Sequence, residues 1–200
     1  HKNINEISTS RSGAVFIALS DWILEQGGVV YGAGYEDHFR VVHKRATNKE
    51  QRDEFKGSKY VQSDLKDTFC QIKKDLKQGY KVMFSGTPCQ TSGLLSYLQL
   101  LKQDISQLYV VDLVCHGVPA PYVWRDYLKY IEKKYHAKIT DVNFRDKSQL
   151  GWSAHKESFK LGNKYLCVST YTDLFYKHLM FRHSCGVCHF TNLKRPSDLT

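Results

Sequence analysis

The sequence has no apolar run approaching the ~20 residues that cross a bilayer as a helix. It also lacks an internal repeat, a low-complexity stretch and an opening signal peptide. These absences exclude a helical membrane span, a repeat array and wholesale disorder. No nucleic-acid-binding motif or basic arm is present either. Carboxylates are in short supply: 20 Asp and Glu stand against 29 Lys and Arg, a net charge of +9 over 200 residues. Such a balance favours anionic ligands, phosphorylated cofactors included. Much of it falls on the expected solvent faces of helices, at Lys73, Lys74, Lys77, Lys129, Lys133 and Lys134. Hydrophobic residues at 42% and charged residues at 24% are ordinary globular values. Neither His1 nor the run Pro196-Ser197-Asp198-Leu199-Thr200 reads as a natural terminus, so a piece of a longer chain is expected.

The six cysteines are Cys70, Cys89, Cys115, Cys167, Cys185 and Cys188. Disulfide frameworks belong to short secreted chains with poor cores, and this chain has an ample apolar content. Reduced thiols in a cytoplasmic setting are therefore expected, either inert in the core or binding a metal.

Periodicity predicts an α/β fold: a mixed, largely parallel sheet with flanking helices and a strand-rich C-terminal part. A helix is expected over 13–26, ended by Gly27-Gly28, followed by strands at Val29-Val30-Tyr31 and Phe39 to Arg45 paired antiparallel. A short polar helix near 48–55 and an amphipathic helix carrying Leu65, Phe69, Ile72 and Leu76 come next. Two strand–loop–helix units then follow, one starting at Lys81 to Phe84 and one at Tyr109 to Val114. Residues 139–146 and 157–170 read as strands, and 173–181 as a helix.

Open α/β sheets place ligands at the carboxyl ends of their parallel strands. The two loops expected there each carry a cysteine: Cys89 in Gly86-Thr87-Pro88-Cys89-Gln90, and Cys115 in Cys115-His116-Gly117-Val118-Pro119. A helix N-terminus lowers a thiol's pKa, which suits Cys89 as a metal ligand or as a nucleophile with His116 as its base. Cys185-Gly186-Val187-Cys188 is a CxxC. Its spacing fits zinc, an iron–sulfur cluster, a redox disulfide or, with His189, haem attachment. Cys70 and Cys167 have apolar neighbours and read as packing residues. The segment from Ser8 to Gly13, and Gly57-Ser58-Lys59-Tyr60, offer hydroxyls and N–H groups that suit a phosphate, or serve only as a cap and a turn.

With these residues laid out, the chain resembles the beta subunit family of coenzyme F420 hydrogenases and dehydrogenases, in a form similar to those of anaerobic gut bacteria. The resemblance is carried by Ser10 to Phe16, Gly27 to Gly32, Gly57 to Ser63, Phe84 to Gln90, Asp112 to Pro119, Asn143 to Lys147, Arg182 to Phe190 and Arg195 to Asp198. It implies an iron–sulfur flavoprotein oxidoreductase that passes electrons between a [4Fe-4S] cluster, FAD and a deazaflavin or other acceptor. Residues 1–105 and 106–200 are then the N- and C-terminal regions of that type, with an electron-transfer protein or ferredoxin-like domain as partner. Four thiolates are what such a cluster needs, and Cys89, Cys115, Cys185 and Cys188 are the four inside the shared motifs. Ser10, Ser12, Gly13, Ser58, Lys59, Tyr60, Gly86 and Thr87 are the expected flavin contacts, and His116 is the reserve for proton handling. One departure is Ser12-Gly13-Ala14, where the family tends to show Ser-Gly-Gly. The same four cysteines also suit a zinc-stabilised scaffold, and Cys89 with His116 suits a hydrolase or transferase.

Overall fold

The computed structural model describes residues 2–10, 14–146, 151, 155–192 and 194–200. Ser12 and Gly13, two of the expected flavin contacts, lie outside these residues.

The central sheet has the order β2-β1-β3-β4, built from β1 (Val29–Tyr35), β2 (Val41–Ala46), β3 (Val82–Gly86) and β4 (Leu108–Asp112). The tight link after β1 makes β1 and β2 antiparallel, whereas β1, β3 and β4 run parallel. Alternation sends Val29 and Tyr31 to one face, with Val82, Phe84, Val110 and the helices α4 (Thr68–Lys77) and α5 (Pro88–Leu100). Val30 and Met83 face the other way, onto Ile23 of α2 (Val15–Leu24) and Phe55 beyond α3 (Lys49–Asp53). Gly32 has a steric reason there, since a Cβ on it would lie 2.7 Å from the Phe55 ring. A short helix α1 (Ile4–Thr9), not foreseen from periodicity, precedes these elements and is held by an ion pair from Glu6 to Lys56 at 2.7 Å.

A second core forms where α6 (Pro121–Tyr135) packs on an antiparallel three-stranded sheet of β5 (Ile139–Asn143), β6 (Glu157–Leu161) and β7 (Lys164–Val168). Trp124, Leu128, Ile131, Val142, Phe144, Phe159 and Tyr171 fill it. The strand-like stretch expected over 157–170 is a hairpin, turning at Gly162 with φ +59°. It is followed by α7 (Thr170–Tyr176), shorter than the 173–181 span that periodicity suggests. Glu157 is fully buried and accepts from Tyr127 Oη, the backbone N–H groups of Tyr171 and Thr172, and Thr172 Oγ1. A buried carboxylate is tolerable only when its lone pairs are met in this way.

β4 ends at Asp112 rather than Val114. Its free edge is occupied by the C-terminal segment: Asp112 N donates to Leu199 O at 2.9 Å, and Val111 bridges Leu199.

Candidate functional site

The β3–α5 and β4–α6 loops leave neighbouring parallel strands in register, Gly86 beside Asp112. Cys89 therefore stands in the first turn of α5 and Cys115 three residues past β4, both exposed. The CxxC reaches them through the chain after α7. Phe181 bridges Pro119, and Arg182 N donates to Val118 O at 3.1 Å. A one-turn helix α8 (His183–Gly186) then carries Cys185. Its Sγ lies 3.9 Å from Val118 O, and Phe190 N donates to Cys188 Sγ at 3.4 Å. Gly117 permits this approach. Its φ is +122°, and a Cβ on it would come within 2.5 Å of the Phe181 ring.

Burial pushes the Cys115 thiol up, the Gly117 N–H pulls it down, and the charges of Cys89, Cys185 and Cys188 push it up further. Cys115 thus lies within electrostatic reach of the other three thiols. Among the described residues no three His, Cys, Asp or Glu side chains are drawn in tightly enough to hold a metal ion. Four thiols are a donor set that suits an iron–sulfur cluster.

The other two cysteines are elsewhere. Cys70 sits on α4 with its Sγ 3.4 Å from Tyr97 Oη, and Cys167 sits on β7. Cys89 has Thr87 Oγ1 as its polar neighbour, at 3.2 Å. His116 instead meets the rings of Phe175, Tyr176 and His178. No described hydrogen bond joins it to Cys89, so the geometry does not favour a Cys–His nucleophile.

Ser10 is buried at the end of α1, and Glu6 of that helix pairs with Lys56, two residues ahead of Ser58. Lys59 Nζ turns inward, donating to the carbonyls of Phe55, Lys56 and Gly57 at 3.2, 3.0 and 3.3 Å, and burial lowers its pKa to about 8. It has to leave these carbonyls to meet a phosphate. Tyr60 stacks on Phe175 with centroids 4.5 Å apart. The same loop reaches the cysteines where Gln62 N donates to Pro119 O. Gly86 and Thr87 close β3 and cap α5. Ala14 caps α2 in the left-handed region, φ +60°, where glycine is at ease and an alanine costs ~1–2 kcal/mol. The departure from Ser-Gly-Gly therefore falls on a position whose backbone favours glycine.

Sequence reasoning missed a buried polar chain beneath the β3–α5 loop. Thr87 Oγ1 and N donate to Gln90 Oε1, and Gln90 Nε2 donates to Ser63 Oγ at 2.9 Å. Ser63 Oγ contacts His43 Nδ1 at 2.9 Å, and His43 Nε2 faces Ser85 O at 3.0 Å. A carbonyl only accepts, so Nε2 carries the proton and Nδ1 accepts from Ser63. Burial lowers the His43 pKa to about 4, and the Ser85 carbonyl opposes this. The available signal was that Ser63 and Gln90 both close family motifs.

A mixed sheet whose parallel strands β3 and β4 lead into cysteine-bearing loops, with the CxxC chain bound to one of them, defines an α/β thiol-rich module. The chain belongs to the family described as coenzyme F420 hydrogenase/dehydrogenase, C terminus of the beta subunit, whose profile matches residues 79–200. That family is one of oxidoreductase subunits. No curated protein matches the chain. Among solved structures, a chain of the F420-reducing [NiFe] hydrogenase complex from Methanosarcina barkeri is similar in fold, with a TM-score of 0.61 at 16% identity. The match covers 94% of this chain and 62% of that one.

Proposed function

We propose that the chain is the electron-transferring part of an iron–sulfur flavoprotein oxidoreductase. Cys89, Cys115, Cys185 and Cys188 hold one [4Fe-4S] cluster. Ser10, the Ser58–Tyr60 loop and Gly86-Thr87, with Ser12 and Gly13, take FAD. Electrons pass between these groups and a deazaflavin such as coenzyme F420, or another acceptor. The observation that supports this is the meeting of three cysteine-bearing segments: the β3–α5 and β4–α6 loops leave neighbouring strands in register, and the chain leading to the CxxC is bound to the β4–α6 loop through Phe181–Pro119 and Arg182 N–Val118 O. When bound, the cluster supplies one-electron transfer and the flavin couples it to two-electron chemistry. The protein's part is to bind and orient both, so no acid–base pair is required of it.

Anaerobic reconstitution should give about four irons per chain and a brown-yellow protein that bleaches on reduction. Cys89→Ala or Cys185→Ala should abolish iron uptake, and Cys70→Ala should leave it intact. A colourless protein with one zinc would establish the scaffold reading instead. Loss with Cys70→Ala and none with Cys89→Ala would overturn the ligand assignment.

A further inference from the structure

Among the described residues, Cys89 alone of the four has a side-chain hydroxyl against its sulfur. Thr87 Oγ1 lies 3.2 Å from Cys89 Sγ and 3.1 Å from Gln90 Oε1. Cys185 and Cys188 meet backbone groups instead, Val118 O and Phe190 N. A hydroxyl has one proton to donate, so Thr87 serves either the sulfur or the amide oxygen.

The buried chain behind Gln90 has a fixed direction. Ser85 O accepts from His43 Nε2, so His43 Nδ1 is an acceptor and takes the Ser63 hydroxyl proton. Ser63 Oγ and Ser63 O can then only accept, and both face Gln90 Nε2, at 2.9 and 3.3 Å. Gln90 is thereby locked with Oε1 toward Thr87. That oxygen also accepts the backbone N–H of Thr87 at 3.0 Å. It keeps this partner whichever way the Thr87 hydroxyl turns.

A free Cys89 donates its S–H to Thr87 Oγ1, and the threonine gives its own proton to Gln90. A cysteine bound to a metal has lost its thiol proton, and its sulfur only accepts. The Thr87 hydroxyl then turns about one bond to donate to sulfur, and no buried group is orphaned by the change. The first turn of α5, where Cys89 stands, favours negative charge at the same sulfur.

We propose that Thr87 is a positioning residue of the cysteine centre: its hydroxyl donates to the ligated sulfur of Cys89, with Gln90, Ser63 and His43 holding the geometry, and raises the reduction potential of the group bound there. The reduced group carries one more negative charge, so a donor at its ligand sulfur favours it. The inference rests on the reading of Cys89 as a cluster ligand.

The test is an anaerobic redox titration of the iron- and sulfide-reconstituted chain, followed by electron paramagnetic resonance. No flavin is added, so the flavin contacts assigned to the same loop do not enter. Wild type, Thr87→Val, Thr87→Ser and Gln90→Leu are compared at equal iron content. At the wild-type midpoint, the ratio of reduced to oxidised centre should fall ~3- to 10-fold in Thr87→Val. Thr87→Ser keeps the hydroxyl and should restore the wild-type ratio. Gln90→Leu disturbs the start of α5 but leaves the donor in place. It should lower the urea midpoint as Thr87→Val does, yet keep the ratio within ~2-fold of wild type. Unchanged potential in Thr87→Val, failure of Thr87→Ser to restore it, or an equal drop in Gln90→Leu would overturn the proposal. Iron uptake by wild type with none in Thr87→Val would make Thr87 an assembly residue and overturn the tuning role. A wild-type chain that takes up no iron overturns the cluster reading itself, whereas an iron-loaded chain indifferent to Thr87→Val overturns this inference alone.

Discussion

The phenol oxygens of Tyr60 and Tyr176 lie 2.9 Å apart across 116 residues of chain. This bond ties the loop read as a flavin contact to the last turn of α7. From Tyr176 the hydrogen bonding continues to His155 Nδ1 at 2.7 Å, and from His155 Nε2 to Arg145 Nη2 at 3.1 Å. A guanidinium only donates, so His155 Nε2 is the accepting nitrogen and Nδ1 carries the proton to Tyr176. Two-dimensional imidazole NMR should show the Nδ1–H tautomer for His155. Tyr176→Phe removes the hydrogen bonds to both Tyr60 and His155 and should destabilise the protein by ~1–3 kcal/mol. An Nε2–H signal in the wild type would break the chain at Arg145.

His43 makes stability depend on mild acid. Its folded-state pKa, about 4, lies below the ordinary histidine value of 6.5. The unfolded chain therefore binds more protons between these values, and stability falls as pH drops from about 6.5 to about 4. The full loss is ~3 kcal/mol over that window. Urea midpoints measured across it should fall in the wild type. His43→Gln should reduce that dependence at the expense of stability at neutral pH. Identical pH profiles for both proteins would remove His43 as the cause.

Gly117→Ala should place a methyl group against the Phe181 ring, at a backbone φ that L residues avoid. A cost of ~1–3 kcal/mol is expected from strain and overpacking together. The displaced ring should also loosen the chain leading to Cys185, seen as faster alkylation of that thiol. An effect within ~0.5 kcal/mol, typical of featureless surface sites, would mean the approach yields easily.

Arg195→Leu should leave Asp112, 2% exposed, as an uncompensated buried carboxylate. Removing one partner of such a pair costs ~3–5 kcal/mol. The double variant with Asp112→Leu should recover most of this, which a pair of chemical-denaturation curves would establish. A single variant as stable as wild type would show that water reaches Asp112 freely.

Much of the scaffold was legible because its signals are local. The spacing of Leu65, Phe69, Ile72 and Leu76 identifies the region of α4, and alternation at Val29, Val30 and Tyr31 identifies β1. The two strand ends bearing Cys89 and Cys115 follow from the same kind of pattern. His43 was not legible, because its partners Ser85, Ser63 and Gln90 come from other elements, and alternation in Val41-Val42-His43 says nothing of them. The helix holding Cys185 was missed because Arg182-His183-Ser184 carries neither a capping side chain ahead of it nor an apolar period. The stretch 157–170 was read as strand-like, and its turn at Gly162-Asn163, a two-residue hairpin pair, was passed over.

The pairing of Leu199 with β4 has a consequence for handling the protein. A bare strand edge is a template for self-association, and the edge of β4 lies next to exposed Leu113 and Val114. The C-terminal segment fills the hydrogen bonds of Val110 and Asp112 and clamps itself there through Arg195 and Asp198. Chains cut short before Arg195 would present that edge unguarded, and aggregation on expression is the expected cost.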